Sequence, residues 1–196
     1  DVDYDHPDVR DEIYRWADWY IQETNVDGFR LDAVKHINDH FIRDFVKYLQ
    51  DKYEGFYVFA EYWSANESSK ENYLYQTDYE FDLFDVKLHF NFYNASHQYE
   101  NYDLRTIFDN AMIVDHPLHA VTFVDNHDSQ PDQSLSSWVE DWFKPLAYGM
   151  ILMHQSGLPC VFIGDYFGIE GEHPLPGKKD IIDKLIYCRK HFAYGE

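Results

Sequence analysis

Apolar residues along this chain alternate between two spacings, one typical of strands and one typical of helices. Five short apolar runs have the length of buried strands: 26–32, 56–61, 81–85, 120–126 and 158–163. The helical spacing occurs between and around them and predicts helices at about 7–21, 37–49, 70–76, 89–99, 136–155 and 178–191. Such alternation is typical of βαβ units and therefore predicts a parallel sheet.

The polar residues that follow the apolar runs distinguish two kinds of parallel sheet. Acidic side chains stand at the carboxyl ends of the first four runs: Asp32, Glu61, Asp85 and the segment Asp125–Asp128. In a TIM barrel these strand ends converge on one face and supply the catalytic residues. A doubly wound sheet of the Rossmann type needs a glycine-rich turn after its first strand, and the sequence has none there. The pattern predicts an α/β fold, a TIM (β/α)8 barrel that is partial, with about strands 4 to 8.

Three of the strand-end carboxylates are candidate catalytic groups. Retaining glycoside hydrolysis uses two carboxyl groups about 5–5.5 Å apart, one as nucleophile and one as acid/base. Asp32 lies two residues after Arg30, so both side chains share a strand face, and a guanidinium favours the ionised form of a nucleophile. Glu61 lies near Trp63, and an apolar setting favours the protonated form of a general acid. Asp128 is a third carboxylate, suited to stabilising positive charge in the transition state.

Four segments of the chain resemble the strand motifs of the α-amylase family of glycoside hydrolases (family thirteen). The four are Phe29–His36, Phe59–Trp63, Phe123–Asp128 and Gly157–Asp165. They match the fourth, fifth, seventh and eighth strands of the family's barrel, in the family's order. The chain is similar in particular to bacterial liquefying and cytoplasmic α-amylases. The resemblance implies that residues 1–196 are the C-terminal part of one incomplete catalytic barrel domain, with 1–6 ending an inserted loop region.

The same resemblance implies an activity and a role for each motif residue. The implied reaction is retaining endo-hydrolysis of α-1,4-glucosidic bonds in starch, glycogen or maltodextrins. Asp32 would be the nucleophile that forms a covalent glycosyl-enzyme, Glu61 the acid/base, and Asp128 a stabiliser of the transition state. The residues implied to bind substrate are Arg30, Lys35, His36, Trp63 and His127. A chain that lacks the first barrel strands is expected to be inactive by itself.

Two other functional interpretations stay open at this stage. An α-1,6-glucosidase or a transglycosylase of the same family would use the same three carboxylates, although the segment Val34–His36 resembles that of endo-amylases. A carbohydrate-binding relative without activity is the other alternative. Such relatives usually lack one acid, whereas Asp32, Glu61 and Asp128 are all present.

The acidic start of the chain is a candidate metal site. Asp1, Asp3 and Asp5 alternate with other residues, so an extended segment would point all three carboxylates one way. Close like charges repel, and a hard cation such as Ca²⁺ relieves the repulsion. From spacing alone, a solvated acidic loop is the simpler explanation. The resemblance instead implies structural calcium, with a neighbouring sodium in some relatives, and adds the backbone carbonyl of His36 as a ligand.

Composition narrows the class of partner. The chain has 36 acidic and 16 basic residues, a net charge of -20, which disfavours binding to nucleic acid or anionic membranes. Neutral α-glucans and divalent cations remain suitable partners, and the 19% aromatic content suits either sugar stacking or a large core. Cys160 and Cys188 match no metal spacing and are expected to be buried thiols, with a disulfide left open. The subgroup favours a cytoplasmic location over secretion.

Overall fold

Strands and helices alternate through both halves of the chain. The computed structural model describes residues 2–171 and 174–193. The chain divides into two compact units, Asp1–Phe84 and Asp85–Glu196. Each unit contains parallel strands with helices between them, which confirms the α/β class.

The first unit repeats a helix–strand pair three times. Its elements are α1 (Pro7–Thr24), β1 (Gly28–Leu31), α2 (Asp39–Lys52), β2 (Tyr57–Ala60), α3 (Glu67–Gln76) and β3 (Asp82–Phe84). A single 3-10 turn, Val34–His36, lies between β1 and α2. The three strands pair in parallel, with β2 in the centre. The register places Leu31 opposite Ala60, so the residues that follow β1 and β2 emerge at the same edge.

Local sequence signals explain where these elements begin and how closely they pack. Pro7 stands at the start of α1, where its missing N–H is not needed by the helix. Asn38 caps α2 by accepting a hydrogen bond from the N–H of Phe41 at 3.1 Å. Gly28 allows β1 to approach β2, because a Cβ there would lie 2.2 Å from the carbonyl oxygen of Tyr57.

The core of the first unit lies between the strands and the apolar face of α2. The apolar side chains of α2 recur at helical spacing and are buried: Phe41, Ile42, Phe45, Val46 and Leu49. The strands contribute Val58, Ala60 and Leu83, each at most 1% exposed. Burial of this apolar surface is the main favourable contribution to the folding of the unit.

The second unit contains two parallel strands and a short hairpin. Its helices are α4 (Val86–Gln98), α5 (Met112–Asp115), α6 (Lys144–Met153), α7 (Ile163–Phe167) and α8 (Lys179–His191). Its strands are β4 (Ala120–Phe123), β5 (Leu158–Cys160), β6 (Gly168–Ile169) and β7 (Leu175–Pro176). The pair β4–β5 is parallel, and β6–β7 is antiparallel. All four side chains of β4 are buried, which explains why its sequence is continuously apolar around one threonine.

One predicted helix is wrong over half of its length. The sequence pattern predicts a helix over 136–155, whereas α6 begins only at Lys144. Backbone N–H groups before that point bond to distant groups instead, and that of Val139 donates to the carboxylate of Asp125 at 3.2 Å. Pro145 lies in the first turn of α6, a position that suits its missing N–H but disfavours a helix continuing upstream.

Two smaller features of the structure concern the cysteines and the apolar character of the helices. Cys160 and Cys188 are half-buried, whereas they were expected from the sequence to be buried. Among residues 2–171 and 174–193, no helix combines the length and the apolar character that crossing a bilayer requires.

The burial pattern of α3 gives a test of the core. Leu74 is fully buried and its neighbour Tyr75 is 71% exposed. We expect Leu74→Ala to lower the free energy of unfolding by about 2–5 kcal/mol, because the lost side chain leaves a cavity. Tyr75→Ala, the matched control, should change it by about 0.5 kcal/mol or less. Urea unfolding measures both, and equal effects would contradict this description of the core.

Candidate active site

The first unit brings two of the candidate carboxylates to one edge of the sheet. Asp32 directly follows β1, and Glu61 directly follows β2. The N–H of Glu61 donates to the carbonyl oxygen of Leu31 at 2.9 Å, which extends the parallel pairing to the position before Asp32. Backbone pairing alone therefore sets the neighbouring positions of the two acids.

A single guanidinium contacts both acids. Arg30 Nη1 lies 2.5 Å from Asp32 Oδ1, and Arg30 Nη2 lies 2.5 Å from Glu61 Oε2. The planar fork of arginine suits this arrangement, because its two outer nitrogens each donate to a different carboxylate. The expected pairing of Arg30 with Asp32 is present, and the contact with Glu61 adds to it.

The two acids have different surroundings. The side chain of Asp32 is 69% exposed, whereas that of Glu61 is 6% exposed. Ala33, directly after Asp32, has a left-handed backbone with φ of 48°. Its successor, Val34, then donates its N–H to the carbonyl oxygen of Glu61 at 3.1 Å. One carboxylate is thus open to solvent and ligand, and the other is enclosed by protein, as different chemical roles require.

Two of the residues expected to bind substrate contact each other instead. Lys35 Nζ donates to the carbonyl oxygen of Trp63 at 3.1 Å. The side chain of Trp63 is buried, with 9% of the residue exposed, so little of its ring is accessible for sugar stacking. His36 is exposed and lines an open cavity together with Asp32, which keeps it available to a ligand.

The second unit presents the third candidate carboxylate in a turn after β4. Asp128 is half-buried, and its Oδ2 lies 3.2 Å from Nε2 of His127, whose side chain is 62% exposed. The N–H of Asp128 donates to Oδ1 of Asn126 at 3.0 Å. His127 and Asp128 therefore emerge together from one turn that follows β4.

A buried network of charged side chains lies next to this turn. The sequence did not indicate that its members contact one another. Lys144 Nζ contacts Asp125 Oδ2 at 2.8 Å and also contacts Asp165 Oδ1, and the three side chains are at most 1% exposed. Tyr148 donates its hydroxyl to Asp165 Oδ2 at 2.6 Å. Burial raises the pKa of both aspartates, and the charge of Lys144 opposes that rise. In the sequence, this network was indicated only by the position of Lys144 at the start of an otherwise apolar helix.

His89 is a fully buried histidine beside this network. Its Nδ1 lies 2.6 Å from the carbonyl oxygen of Val124, which can only accept, so Nδ1 carries the proton. Its Nε2 lies 2.8 Å from the hydroxyl of Ser137 and accepts from it when the ring is neutral. Burial lowers the pKa of His89 to about 4. The ring is therefore a neutral group of the core.

The candidate calcium ligands are only partly brought together. Asp3, Asp5 and His36 line one open cavity of about 680 Å³ together with Asp32. Asp3 Oδ1 already accepts a hydrogen bond from the N–H of Asp5 at 3.1 Å. Asp1 lies outside the described residues. Within residues 2–171 and 174–193, no three His, Cys, Asp or Glu side chains converge as metal ligands, so these residues do not by themselves form a metal centre.

Comparison with known proteins decides the family. The protein-family model described as the α-amylase catalytic domain matches residues 1–189. The chain belongs to the α-amylase family. It is 49% identical to the α-amylase of Bacillus licheniformis, over 100% of this chain and 39% of that protein. It is 39% identical to the cytoplasmic α-amylase of Escherichia coli strain K12, over 99% of this chain and 41% of that protein.

Solved structures support the same fold. A cyclomaltodextrin glucanotransferase, CldA, aligns with a TM-score of 0.76 at 20% identity, over 97% of this chain and 42% of that one. An Anoxybacillus α-amylase aligns with a TM-score of 0.72 at 24% identity, over 98% of this chain and 46% of that one. The partial (β/α)8 barrel is thereby confirmed. The chain spans about two fifths of the curated relatives it matches, and the single-domain assignment stays a prediction.

The buried state of His89 predicts a specific dependence of stability on pH. The ordinary histidine pKa is 6.5, so between pH 6.5 and about 4 the unfolded chain binds a proton here and the folded chain does not. Stability should therefore fall as pH falls through this window, by about 3 kcal/mol for this group. His89→Gln should remove that part of the slope, and His40→Gln, at a largely exposed histidine, should not. Urea unfolding at several pH values checks this, and identical slopes in all three proteins would refute it.

Proposed function

We propose that the full-length protein is a retaining endo-hydrolase of α-1,4-glucosidic bonds in α-glucans such as starch, glycogen or maltodextrins. The observation that carries the proposal is the contact of one guanidinium, that of Arg30, with both Asp32 and Glu61 at 2.5 Å. This shared contact keeps the two carboxylates near one another, and retaining glycosidases need a carboxyl separation of about 5–5.5 Å.

In the first step, the bond between the two sugars is replaced by a bond to the enzyme. Glu61 donates its proton to the glycosidic oxygen, while an oxygen of Asp32 attacks the anomeric carbon. The glycosidic bond breaks, and the leaving sugar departs as an alcohol. A covalent glycosyl ester on Asp32 remains, with the anomeric configuration inverted.

In the second step, water releases the sugar. Glu61, now ionised, takes a proton from the water while the oxygen of that water attacks the anomeric carbon. The ester bond to Asp32 breaks, its carboxylate leaves, and Glu61 regains its proton. Two inversions give a product with the original α configuration.

The surroundings of the two acids support this division of roles. Asp32 is largely exposed, so substrate has access to it, and its carboxylate is contacted by the cationic Arg30. Glu61 is enclosed, which favours the transfer of a proton within the site rather than to bulk water. Protonation of Glu61 would weaken its contact with Arg30, and the guanidinium would then interact mainly with Asp32. Asp128 and His127 would contact the sugar at the point of cleavage.

Two other functions are less well supported. A transglycosylase or an α-1,6-glucosidase would share the three carboxylates, but the relatives at 49% and 39% identity described above are named α-amylases. A carbohydrate-binding protein without activity would not need Asp32, Glu61 and Arg30 arranged in contact. Partners of other classes, such as nucleic acid, are disfavoured by the net charge of -20.

Proton NMR of starch during early digestion by the full-length protein tests the proposed reaction. Fresh α-anomeric reducing ends, together with a rapid fall in polymer size, are the expected result. Products in the β configuration would exclude the covalent route. Transfer of sugar to added maltose without net release of reducing ends would instead favour the transglycosylase.

Substitution of the two acids should separate their roles. We expect Asp32→Asn to lower kcat by on the order of 10⁴-fold or more, because no glycosyl ester forms. Glu61→Gln should lower kcat strongly on starch but less on a substrate whose leaving group needs no proton. Asp51→Asn, at an exposed position on α2, is the control. Rates near that of the control for either variant would refute the assignment.

We further propose that the full-length protein binds structural calcium through the acidic segment of Asp3 and Asp5. If it does, EDTA should lower the Tm of the wild-type protein, because an ion that binds only the folded state stabilises it. The double variant Asp3→Asn with Asp5→Asn should melt at a lower temperature than wild type in calcium, and at the same temperature in EDTA. No effect of EDTA on the wild-type Tm would contradict calcium binding.

A further inference from the structure

The turn that carries Asp128 rests on the buried network of Lys144. We call residues Asp125–Ser129 the Asp128 turn; one residue, Val124, separates it from the end of β4. Its first residue, Asp125, is fully buried and accepts from Lys144 Nζ at 2.8 Å. Lys144 itself lies at the start of α6, with Nζ 3.0 Å from the centre of the Trp138 ring. The cation is thus shielded from water, and its position is fixed by carboxylates and an aromatic face.

A chain of hydrogen bonds leads from this cation to the backbone of Asp128. The hydroxyl of Ser129 donates to Asp125 Oδ1 at 2.7 Å and accepts from the N–H of Asn126 at 2.9 Å. Oδ1 of Asn126 in turn accepts from the N–H of Asp128 at 3.0 Å and from that of Ser129 at 2.8 Å. Beyond the Lys144–Asp125 pair, each of these links joins groups within the Asp128 turn, and the hydroxyl of Ser129 connects Asp125 to Asn126.

The network makes the turn unusually intolerant of rearrangement. Lys144 and Asp125 are buried charges, and each must keep its partner because an unpaired buried charge is costly. Ser129 is fully buried, so its hydroxyl has no water to replace a lost partner. A change of the turn that moved Asp128 would therefore break several buried bonds together.

We propose that Ser129 is a positioning residue that couples the Lys144–Asp125 pair to the backbone of Asp128. Through this coupling the buried charge pair holds the Asp128 carboxylate in the orientation that the transition state needs. The inference rests on the proposed function for its catalytic consequence, whereas the hydrogen-bond chain itself is a property of the second unit.

A matched pair of variants separates positioning from general stability. Ser129→Ala removes the hydroxyl that links Asp125 to the Asp128 turn. Tyr148→Phe removes a hydroxyl that donates to Asp165 Oδ2 at 2.6 Å, on the other side of the same lysine. Each variant removes one buried hydroxyl from one network, but only the first acts on the turn. Ser129→Thr keeps the hydroxyl and serves as the conservative variant.

In the full-length protein, steady-state kinetics on maltodextrin and thermal unfolding are measured for all variants. Ser129→Ala should lower kcat on the order of 10-fold to 100-fold with little change in KM, because a displaced catalytic group weakens transition-state contacts most. Tyr148→Phe should lower Tm like Ser129→Ala but keep kcat near the wild-type value. Ser129→Thr should recover most of the lost kcat. Equal kcat losses in Ser129→Ala and Tyr148→Phe would overturn the proposal.

Amide hydrogen exchange gives a readout that does not depend on activity. The N–H of Asp128 should exchange faster in Ser129→Ala than in wild type and be unaffected in Tyr148→Phe, because only the first change releases Asn126. Unchanged exchange of that amide in Ser129→Ala would overturn the proposal. If the wild-type protein did not cleave α-glucans, the proposed function would fail, and this exchange experiment would still decide whether Ser129 positions the turn.

Discussion

Two carboxylates that must approach one sugar bond repel each other, and the contacts of Arg30 offset that repulsion. At short range the repulsion between two carboxylates grows as the surroundings lose water, and Glu61 is 6% exposed. Arg30 lies on β1, so its guanidinium is fixed by the same strand that delivers Asp32. The parallel pairing of β1 with β2 then brings Glu61 to the second nitrogen of that guanidinium. The register of two strands and the charge of one side chain together define the candidate site.

The second unit contains the same electrostatic arrangement in a different setting. Lys144 lies between Asp125 and Asp165, as Arg30 lies between Asp32 and Glu61. Here all three groups are buried, so the arrangement has no access to substrate and serves the structure of the Asp128 turn. An exposed acid beside a cation suits chemistry, whereas an enclosed set of charges suits the fixing of a loop. Burial therefore separates the two roles more clearly than residue type does.

Much of the fold was predictable because its signals are local. Alternating apolar spacing located the main strands and helices, and acids after successive strands indicated a barrel rather than a Rossmann sheet. The helix predicted over 136–155 failed because its early N–H groups bond to partners far along the chain, such as Asp125. No local pattern reports such a partner. The short elements α5, α7 and the β6–β7 hairpin were missed for lack of length.

The candidate site was likewise predictable only where its signals are local in the sequence. The spacing of Arg30 and Asp32 indicated a shared strand face, but the contact of Arg30 with Glu61 joins residues 31 positions apart. The bond from Lys35 to the carbonyl oxygen of Trp63 depends on the same pairing of distant strands. Motif resemblance placed these residues in one site without giving their contacts. The structure adds those contacts.

The most direct test of the central claim is to locate the covalent intermediate. Full-length Glu61→Gln would be treated with an activated fluorinated maltoside, whose leaving group departs without acid catalysis while the fluorine slows hydrolysis of the ester. Peptide mass spectrometry would then identify the labelled residue. The expected result is a glycosyl ester on Asp32. A label on any other residue, or release of the leaving group with no covalent adduct, would contradict it.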